Sequence, residues 1–252
     1  MVSDRQVVEL FHLHFVRLLC SGPQKGSFAI KGGGNLRFFF ESVRYSEDMD
    51  LDVAGLPVHA LKEKVGGILG GPALALTLRS RGISITNSSA PKQTDTTQRW
   101  KVGLALEGQS TPLHTKIEFS RRATMEEAKV EPVAATVLAE HQLMPLLAPH
   151  YPLAAAIRQK IGALVGRTIV QARDVFDLAV LFARAGGDLA PLLPIQSKIP
   201  RAVERAMEVS YADFRSQVVS YLQRDKVDTY GTREAWDALQ VRVVDCLEKA
   251  RP

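Results

Sequence analysis

Carboxylates alternate with apolar side chains in one short segment of the chain. The segment DMDLDV places Asp48, Asp50 and Asp52 at every second position. In a β-strand this spacing directs the three acids to one face and the apolar residues to the other. Like charges on one strand face repel one another unless a cation lies between them. Because divalent cations bind carboxylate oxygens, the pattern predicts a metal site, with a solvated strand face as the alternative.

A run of three glycines precedes this acidic strand, between a short apolar strand and a helix predicted over residues 35–40. Gly32, Gly33 and Gly34 would let a ligand approach the backbone closely. The N-terminus of a helix offers N–H groups and the positive end of its dipole to a phosphate, although a tight turn is the simpler interpretation. A phosphate site beside a row of carboxylates is what metal-assisted phosphoryl or nucleotidyl transfer requires.

Three further residues could complete such a site. Glu118 lies on a strand predicted over 113–120, on the face that also carries His114 and Lys116. It would join the carboxylates if this strand is a neighbour of the acidic strand, whereas alone it favours a cross-strand salt bridge. Arg44 and Ser46 lie in the loop before the acidic strand. If the aspartates bind a metal, these two residues are expected to contact phosphate. The alternative is that they are solvated loop residues.

A second group of charges lies in the C-terminal half, in the segment IRQKIGALVGRTIVQARDVFDLAVL. Lys160 and Asp174 are fourteen residues apart, so on an unbroken helix they would face the same way. Asp174 and Asp177 adjoin apolar residues, which predicts that both acids are partly buried and paired, with Arg167 or Lys160 as the partner. A salt-bridged helix surface is the alternative interpretation.

Alternating and helical patterns divide the chain into two parts. The first part combines helices predicted over 7–19 and 58–69 with a β-like region over 73–108, which contains a polar loop over 87–97. From about Val133 the segments turn helical, over 134–147, 153–167, 171–185, 201–223 and 234–250. We therefore predict an α+β fold, with a catalytic domain over residues 1–130 and a helical module over 131–252.

Composition narrows the function classes. The 252 residues carry a net charge of +5, which permits binding to RNA without requiring it. The chain has no run of about eighteen uncharged apolar residues, which predicts no membrane span. Cys20 and Cys246 lie far apart in helical patterns, so they indicate neither a disulfide framework nor a metal pair and favour a reducing, cytoplasmic compartment. The six histidines lack metal-ligand spacing and are interpreted as structural or surface residues.

Three blocks of sequence resemble the AbiEii/AbiGii-type nucleotidyltransferase toxins of type IV toxin–antitoxin systems, which include the mycobacterial MenT toxins. The first block, FAIKGGGNLR at 28–37, is similar to KGGTALR, and the second, RYSEDMDLD at 44–52, to RFSED[IL]D[LF]. The third, RQKIGALVGR…ARDVFDL at 158–178, is similar to EKLxAL…RDxxDL. KIEF at 116–119 resembles the family's middle strand with its third acid.

The resemblance implies a polymerase-β-like nucleotidyltransferase core followed by a C-terminal helical module. The site residues that it implies are the Mg²⁺ ligands Asp48 and Asp50, the triphosphate contacts Gly33 and Gly34, and the active-site residues Lys160 and Asp174, with Asp177 in support. It further implies an NTP substrate, transfer to the 3′ end of tRNA as in MenT-like members, and a cognate antitoxin of the AbiEi type as partner.

The hypothesis for the reaction assigns each of these residues a task. Gly32 to Gly34 hold the β- and γ-phosphates, while Arg44, Ser46 and Lys160 stabilise charge on the phosphates. Glu118 completes the metal shell or acts as a base, and Asp174 positions Lys160 or the nucleotide base. The basic residues expected to guide tRNA are Arg121, Arg122, Arg167 and Arg173.

One position departs from the family pattern. The family carries Ser or Thr after its glycine pair, where this chain has Gly34. The missing hydroxyl removes one side-chain phosphate contact, which Asn35 or backbone N–H groups would have to replace. Two other function classes therefore stay open. One is a nucleotidyltransferase that modifies a protein or a small molecule, and the other is a nucleotide-binding module that has lost catalysis.

Overall fold

The computed structural model describes residues 3–22, 25–121, 124–188 and 190–250. By its contacts the chain divides into two units. Unit 1 comprises Met1–Phe39 and Tyr45–Tyr151, and unit 2 comprises Phe40–Arg44 and Pro152–Pro252. Unit 1 therefore extends past the predicted domain boundary at residue 130.

Unit 1 is built on a mixed β-sheet. In the described residues its strands are β1 (Phe28–Lys31), β2 (Met49–Val53), β3 (Ile83–Gln93), β4 (Thr97–Leu106), β5 (Leu113–Ser120), β6 (Lys129–Pro132) and β7 (Leu147–His150). They lie in the order β3–β4–β5–β2–β1–β7–β6. The acidic strand β2 is central, because it is antiparallel to β1 on one side and parallel to β5 on the other.

The helices of unit 1 are α1 (Asp4–Leu19), α2 (Gly32–Phe39), α3 (Val58–Gly70), α4 (Pro72–Arg79) and α5 (Ala135–Glu140). α1 begins at a capping box, in which the Ser3 hydroxyl accepts from the Gln6 N–H and the Gln6 side chain accepts from the Ser3 N–H. The helix packs against α3, α4 and β5. Phe11 and Phe15, which are four residues apart on α1, are fully buried in this core.

Alternation along β2 and β5 separates the core from the polar face of the sheet. Met49 and Leu51 on β2 are buried, as are Ile117 and Phe119 on β5. The side chains between them are only partly buried at Asp50, Lys116 and Glu118. The two faces predicted for the strand over 113–120 are therefore confirmed.

Unit 2 is helical. Its α-helices are α6 (Leu153–Gly166), α7 (Ala172–Ala185), α8 (Ile199–Met207), α9 (Tyr211–Gln217), α10 (Val227–Tyr230) and α11 (Arg233–Glu248). Trp236 on α11 stacks on Phe214 of α9, with ring centroids 4.5 Å apart, and both rings are buried. The predicted α+β fold is thus confirmed. Among the described helices, none is long and apolar enough to cross a bilayer.

Two predictions about the region 73–108 were wrong. Residues 72–79 form helix α4 rather than a strand, because Pro72 fits the first turn of a helix and Leu74 and Leu78, one turn apart, are both buried. β3 continues to Gln93, through the segment predicted as a polar loop. Pairing with β4 supplies its backbone hydrogen bonds although most of its side chains are exposed.

Glycine positions and one predicted helix also differ from expectation. The glycine run at 32–34 forms the first turn of α2 instead of preceding it. Of the helix predicted over 134–147, only Ala135–Glu140 is helical. Leu147–His150 is a strand that pairs with β1 and β6. Such pairing depends on partners distant in the chain, which a local pattern does not show.

Candidate active site

Glu118 lies directly beside the acidic strand. β5 is parallel to β2, and Glu118 is opposite Asp50 in the register. On the other side of β2, Asp50 is opposite Lys31 of β1. The condition on which the prediction for Glu118 depended is therefore met. Glu118 also accepts a 2.6 Å hydrogen bond from Arg99 of β4, which is the cross-strand salt bridge considered as the alternative.

A lysine ammonium lies among the carboxylates. Lys116 Nζ is 3.0 Å from Asp48 Oδ2 and 4.0 Å from Glu118 Oε2. The Lys116 backbone N–H also donates to Asp48 Oδ1 over 3.1 Å. Partial burial by itself would lower the pKa of Lys116, but its bond to Asp48 and the charges of Asp50 and Glu118 outweigh burial and raise it. The side chain therefore stays a cation among the acids.

The surroundings of Asp50 disfavour the charged form of its carboxylate. Burial raises its pKa, the neighbouring charges of Asp48 and Glu118 raise it further, and the attraction of Lys116 only partly opposes them. A bound cation would relieve this repulsion, and the donor atoms are the carboxylate oxygens that Mg²⁺ prefers. The carboxylate oxygens of Asp48 and Asp50 are therefore donors of the type that a hard divalent cation binds, although these two acids and Glu118 are not among the groups whose ligand atoms lie within 4.8 Å of one another in the described residues.

The start of α2 abuts Asp50. Gly32 has a φ of +64°, and a Cβ at this position would be 3.2 Å from Asp50 Oδ2. Only glycine combines this left-handed backbone with so close an approach to the carboxylate. The first N–H groups of an eight-residue helix, Gly32–Phe39, therefore begin beside the acidic strand. The glycine run and the carboxylates adjoin in the way that the sequence predicted.

Gly34 and Asn35 differ in what they can offer a phosphate. A Cβ on Gly34 would lie 3.4 Å from Met49 Sδ and 3.5 Å from Ile30 Cγ2, which are ordinary contacts. The Asn35 side chain is fully buried and donates to the Tyr151 carbonyl over 2.8 Å. Its Oδ1 lies 2.9 Å from His150 Nδ1. The amide of Asn35 is thus engaged within unit 1 and does not replace the missing hydroxyl.

Asp52, the third acid of the row, is engaged elsewhere. Its Oδ1 lies 2.5 Å from Lys31 Nζ, and its Oδ2 accepts a 2.7 Å hydrogen bond from the Tyr151 hydroxyl. The carboxylate is buried. Burial and the Asp52 charge raise the pKa of Tyr151, so that this phenol remains a donor. Asp52 therefore joins β1 and β2 to Tyr151, while Asp48 and Asp50 keep the more open positions.

A chain of hydrogen bonds holds the backbone just before Asp48. The Thr115 hydroxyl donates to the Glu47 carbonyl over 2.8 Å, and His12 Nε2 lies 2.8 Å from the same hydroxyl. Because the single Thr115 proton is used, its oxygen accepts from His12 Nε2–H. Burial lowers the pKa of His12 to about 4, so the imidazole is neutral. The Ser46 hydroxyl adds a 2.8 Å bond to the Asp48 carbonyl.

The sequence did not predict this series of hydrogen bonds from His12 through Thr115 to Glu47. His12 lies inside the helical pattern of α1, and Thr115 lies on the apolar face of β5. A buried histidine and a buried threonine are individually unremarkable, and only the tertiary structure brings them together. The available signal in the sequence was a polar residue on the core-facing side of each element, His12 in the helical pattern of α1 and Thr115 between Leu113 and Ile117 of β5.

The acids of unit 2 are buried and paired, as predicted. Asp177 lies 2.5 Å from Lys160 Nζ and accepts from both Nε and Nη2 of Arg44. Asp174 accepts a 2.7 Å bond from Arg167 and lies 3.4 Å from Lys160 Nζ. Burial would raise the pKa of Asp177, but Arg44 and Lys160 outweigh it and lower the pKa. Both carboxylates are fully buried.

Several predicted phosphate or RNA contacts have other partners in the structure. Arg44 is buried and donates to Asp177, so its predicted phosphate contact stays a prediction. Arg121 donates to Gln98 over 2.8 Å and to the Leu56 carbonyl. Arg122 lies outside the described residues.

A different carboxylate group satisfies a simple geometric criterion for metal binding. Within the described part of the chain, three ligand atoms lie within 4.8 Å of one another at Glu9, Glu140 and His141. The Arg37 guanidinium donates to both glutamates of this group. Burial would raise the pKa of Glu9, but its hydrogen bonds to His141 and Arg37 lower it. Because the Arg37 guanidinium already pairs with both glutamates, we interpret this group as a structural network.

Comparison with known proteins shows which family and which folds this chain resembles. A family model described as "Nucleotidyl transferase AbiEii toxin, Type IV TA system" matches residues 17–249. JHP933 from Helicobacter pylori has a similar structure, with a TM-score of 0.64, 20% identity, and 99% of this chain and 95% of that chain covered. MenT4, a nucleotidyltransferase toxin from Mycobacterium tuberculosis H37Rv, has a TM-score of 0.62 at 17% identity, with 97% and 84% covered. No curated protein matches the chain.

Proposed function

Because the chain belongs to the AbiEii family of nucleotidyltransferase toxins of type IV toxin–antitoxin systems, we propose that it transfers a nucleoside monophosphate from an NTP to the 3′ end of tRNA. The reaction depends on Mg²⁺, and it inhibits translation and growth because it blocks the end of tRNA that carries the amino acid. The observation that carries the proposal is the group of Asp48, Asp50 and Glu118 beside the helix start at Gly32.

Asp48 and Asp50 would hold the metal. Their oxygens suit a hard cation. The pKa of Asp50 is raised by burial and by the charges of Asp48 and Glu118, and a bound cation would offset both effects. When bound, Mg²⁺ supplies Lewis-acid stabilisation of the triphosphate and lowers the pKa of the attacking hydroxyl.

The residues of the chain supply positioning and proton transfer. Backbone N–H groups of Gly32, Gly33 and Gly34 bind the β- and γ-phosphates. The acceptor oxygen forms a bond to the α-phosphorus while the bond between the α-phosphorus and the bridging oxygen breaks, and pyrophosphate leaves. Glu118 takes the proton of the acceptor hydroxyl or completes the metal shell. Ser46 fixes the backbone of Asp48 through its 2.8 Å hydrogen bond.

Lys160 and Asp174 have proposed roles in the same reaction. Lys160 stabilises charge that develops on the phosphates, and Asp174 orients Lys160, to which it lies within 3.4 Å. Asp177 holds Lys160 and Arg44 in place. These roles rest on the family resemblance and on the buried ion pairs of unit 2.

The partner of a type IV toxin is its antitoxin, here proposed to be of the AbiEi type. NTP and tRNA are both cytoplasmic, so the proposed reaction belongs to the cytoplasm.

One paired experiment tests the proposal. The wild-type protein and the Asp50→Ala variant are expressed from an inducible promoter, and the 3′ ends of cellular tRNA are sequenced. We expect extra nucleotides on tRNA and slow growth with the wild type alone. In parallel, purified protein is incubated with labelled NTP and tRNA, protein extract or small acceptors. Label on protein or small molecules would replace the tRNA proposal. Binding of Mg-NTP without any labelling would favour the catalytically inactive module.

A further inference from the structure

The polar face of the sheet continues beyond the aspartates. Lys116 on β5 is opposite Lys101 on β4, and Lys101 is opposite Ser89 on β3. Two residues further along each strand, His114 and Asn87 lie opposite Gly103 of β4 from its two sides. Because side chains alternate between faces, these two rows share one face of the sheet. Asp50 and Glu118 belong to the next row on that face.

A cleft of about 460 Å³ lies on this face, next to Asp48. Its lining residues are Glu47, Asp48, Asn87, Ser89, Lys101, Val102, His114, Thr115 and Lys116. A larger residue in place of Gly103 would displace a lining side chain, because a Cβ there would lie 2.7 Å from Asn87 Nδ2 and 2.7 Å from Thr86 Oγ1. The cleft therefore has a polar wall that ends at a proposed metal ligand.

Several side chains in the cleft have unused hydrogen-bonding capacity. Ser89, Lys101 and His114 are exposed, and none has a side-chain hydrogen bond or ion pair within the described part of the chain. Asn87 has only a long 3.4 Å contact to the Thr86 hydroxyl. An ammonium, an imidazole, an amide and a hydroxyl together match the phosphate, ribose and base edges of a nucleotide.

The order of the strands separates this cleft from the triphosphate site. The proposed triphosphate site at Gly32 to Gly34 follows β1, and the cleft spans β5, β4 and β3. The acidic strand β2 lies between them in the sheet. In nucleotidyl transfer the attacking and leaving oxygens lie roughly in line on opposite sides of the phosphorus. A ligand in the cleft would thus approach the α-phosphorus from the side opposite the pyrophosphate.

From these observations, and on the premise of the proposed function, we propose that the cleft binds the 3′-terminal nucleotides of an RNA acceptor. Lys101 contacts a phosphate of the acceptor, while Asn87, Ser89 and His114 contact its ribose and base. The terminal hydroxyl then points toward Asp48. We favour an RNA over a protein acceptor because the Lys101 ammonium has no ion-pair partner in the described residues and would attract the phosphates of RNA.

The test compares cleft variants with a matched control. The cleft variants are Lys101→Ala and the double variant Asn87→Ala/His114→Ala, and the control is Lys62→Ala, which removes an exposed lysine from α3. The acceptor is a single-stranded RNA oligonucleotide that ends in CCA. We expect each cleft variant to raise the KM for RNA about tenfold, because Lys101→Ala loses a hydrogen bond to a charged phosphate and the double variant loses two neutral hydrogen bonds. The KM for NTP and the thermal unfolding temperature should remain those of the wild type.

Two further measurements keep this proposal separate from the proposed function. Fluorescence anisotropy of the labelled RNA needs no turnover, and Lys101→Ala should flatten the slope of log K against log salt by about 0.7. Equal RNA affinity and equal RNA KM in all variants would overturn the cleft as acceptor site, even if the wild type transfers nucleotides. A wild type that binds RNA through Lys101 but transfers nothing would instead overturn the proposed reaction. Transfer to protein alone would overturn the RNA cleft and leave nucleotidyl transfer intact.

Discussion

At the scale of single residues, Asp50 lies in the middle of the candidate site, in surroundings that disfavour its charged form. It lies between Lys31 and Glu118 in the register of the sheet, and Gly32 approaches its carboxylate. Burial and like charges raise its pKa above the usual value. A raised carboxyl pKa means that the charged form destabilises the fold at neutral pH. This position is therefore maintained at a cost to stability, as is common at functional sites.

Asp50→Asn should consequently separate activity from stability. We expect nucleotidyl transfer to fall by at least about a thousandfold, since a metal ligand that acts in transition-state stabilisation is lost. The thermal unfolding temperature should stay equal or rise, because the neutral amide removes like-charge repulsion. Labelled-NTP transfer and thermal unfolding check both parts, with the exposed Glu63→Gln on α3 as control. Wild-type transfer by the variant would remove Asp50 from the mechanism.

Substitutions at Gly32 and Gly34 should have different effects on NTP kinetics and stability. Gly34→Ser should fold normally, because the nearest neighbour of its Cβ would be Met49 Sδ at 3.4 Å. Its hydroxyl restores the residue type of the family and should lower the KM for NTP. Gly32→Ala should lose about 1–2 kcal/mol for a left-handed residue and lose transfer as well, because its φ is +64° and its Cβ would crowd Asp50. NTP kinetics and urea unfolding compare the two variants. Equal behaviour of the two would contradict the assignment.

At the scale of elements, α1 supports the loop before the acidic strand through His12, Thr115 and the Glu47 carbonyl. Because this histidine is buried on a helix that packs on the sheet, its protonation is linked to folding. Burial also lowers the pKa of His14, on the same helix, to about 4. The two histidines therefore make the stability of unit 1 sensitive to mildly acidic pH.

Stability should fall as the pH is lowered from about 6.5 toward 4. Over that range unfolded His12 binds a proton and folded His12, with a pKa of about 4, does not. The unfolded state thus binds more protons, and His12 alone should cost about 3 kcal/mol by pH 4. His12→Gln keeps a neutral N–H donor and should reduce the slope, while His14 maintains part of it. Urea unfolding at several pH values gives the two curves, and parallel curves would show that His12 does not titrate this way.

Ion pairs join Lys160 of α6 to Asp174 and Asp177 of α7. Variants of these residues can separate a structural role from a catalytic one. Asp177→Asn removes the carboxylate to which both Lys160 and Arg44 donate, and loss of one side of a buried ion pair costs about 3–5 kcal/mol. Lys160→Met leaves Asp177 with Arg44 and Asp174 with Arg167, so it should unfold less easily than Asp177→Asn. If Lys160 takes part in the reaction, its variant loses transfer while it remains folded. A folded, fully active Lys160→Met would limit Lys160 to a structural role.

At the scale of the whole molecule, the order of the sheet organises the proposed chemistry of unit 1. β2 carries Asp50 and Asp52, and Asp48 directly precedes it. β1 leads into the glycine run, and β5 brings Glu118 and Lys116. The sheet then continues through β4 and β3, where it forms the cleft beside Asp48. Unit 2 keeps its own buried charges. The Lys160→Met and Asp177→Asn variants test which of these charges take part in the reaction.

The sequence by itself determined the local alternations. The spacing of Asp48, Asp50 and Asp52 predicted a strand, and the apolar neighbours of Asp174 and Asp177 predicted buried, paired acids. Such patterns are sufficient because a residue's face on a strand or helix follows from its local period. Short apolar runs fit both periods, which is why the helix over Pro72–Arg79 was predicted as β.

The tertiary structure decided which elements became neighbours. It placed β5 parallel to β2, engaged Asp52 with Lys31 and Tyr151, and brought His12 to Thr115. It also converted residues of an expected polar loop into the wall of a cleft. These outcomes depend on register and on pairing between segments distant in the chain. Neither is encoded in a local period, because the same alternating strand can pair with any partner that buries its apolar face.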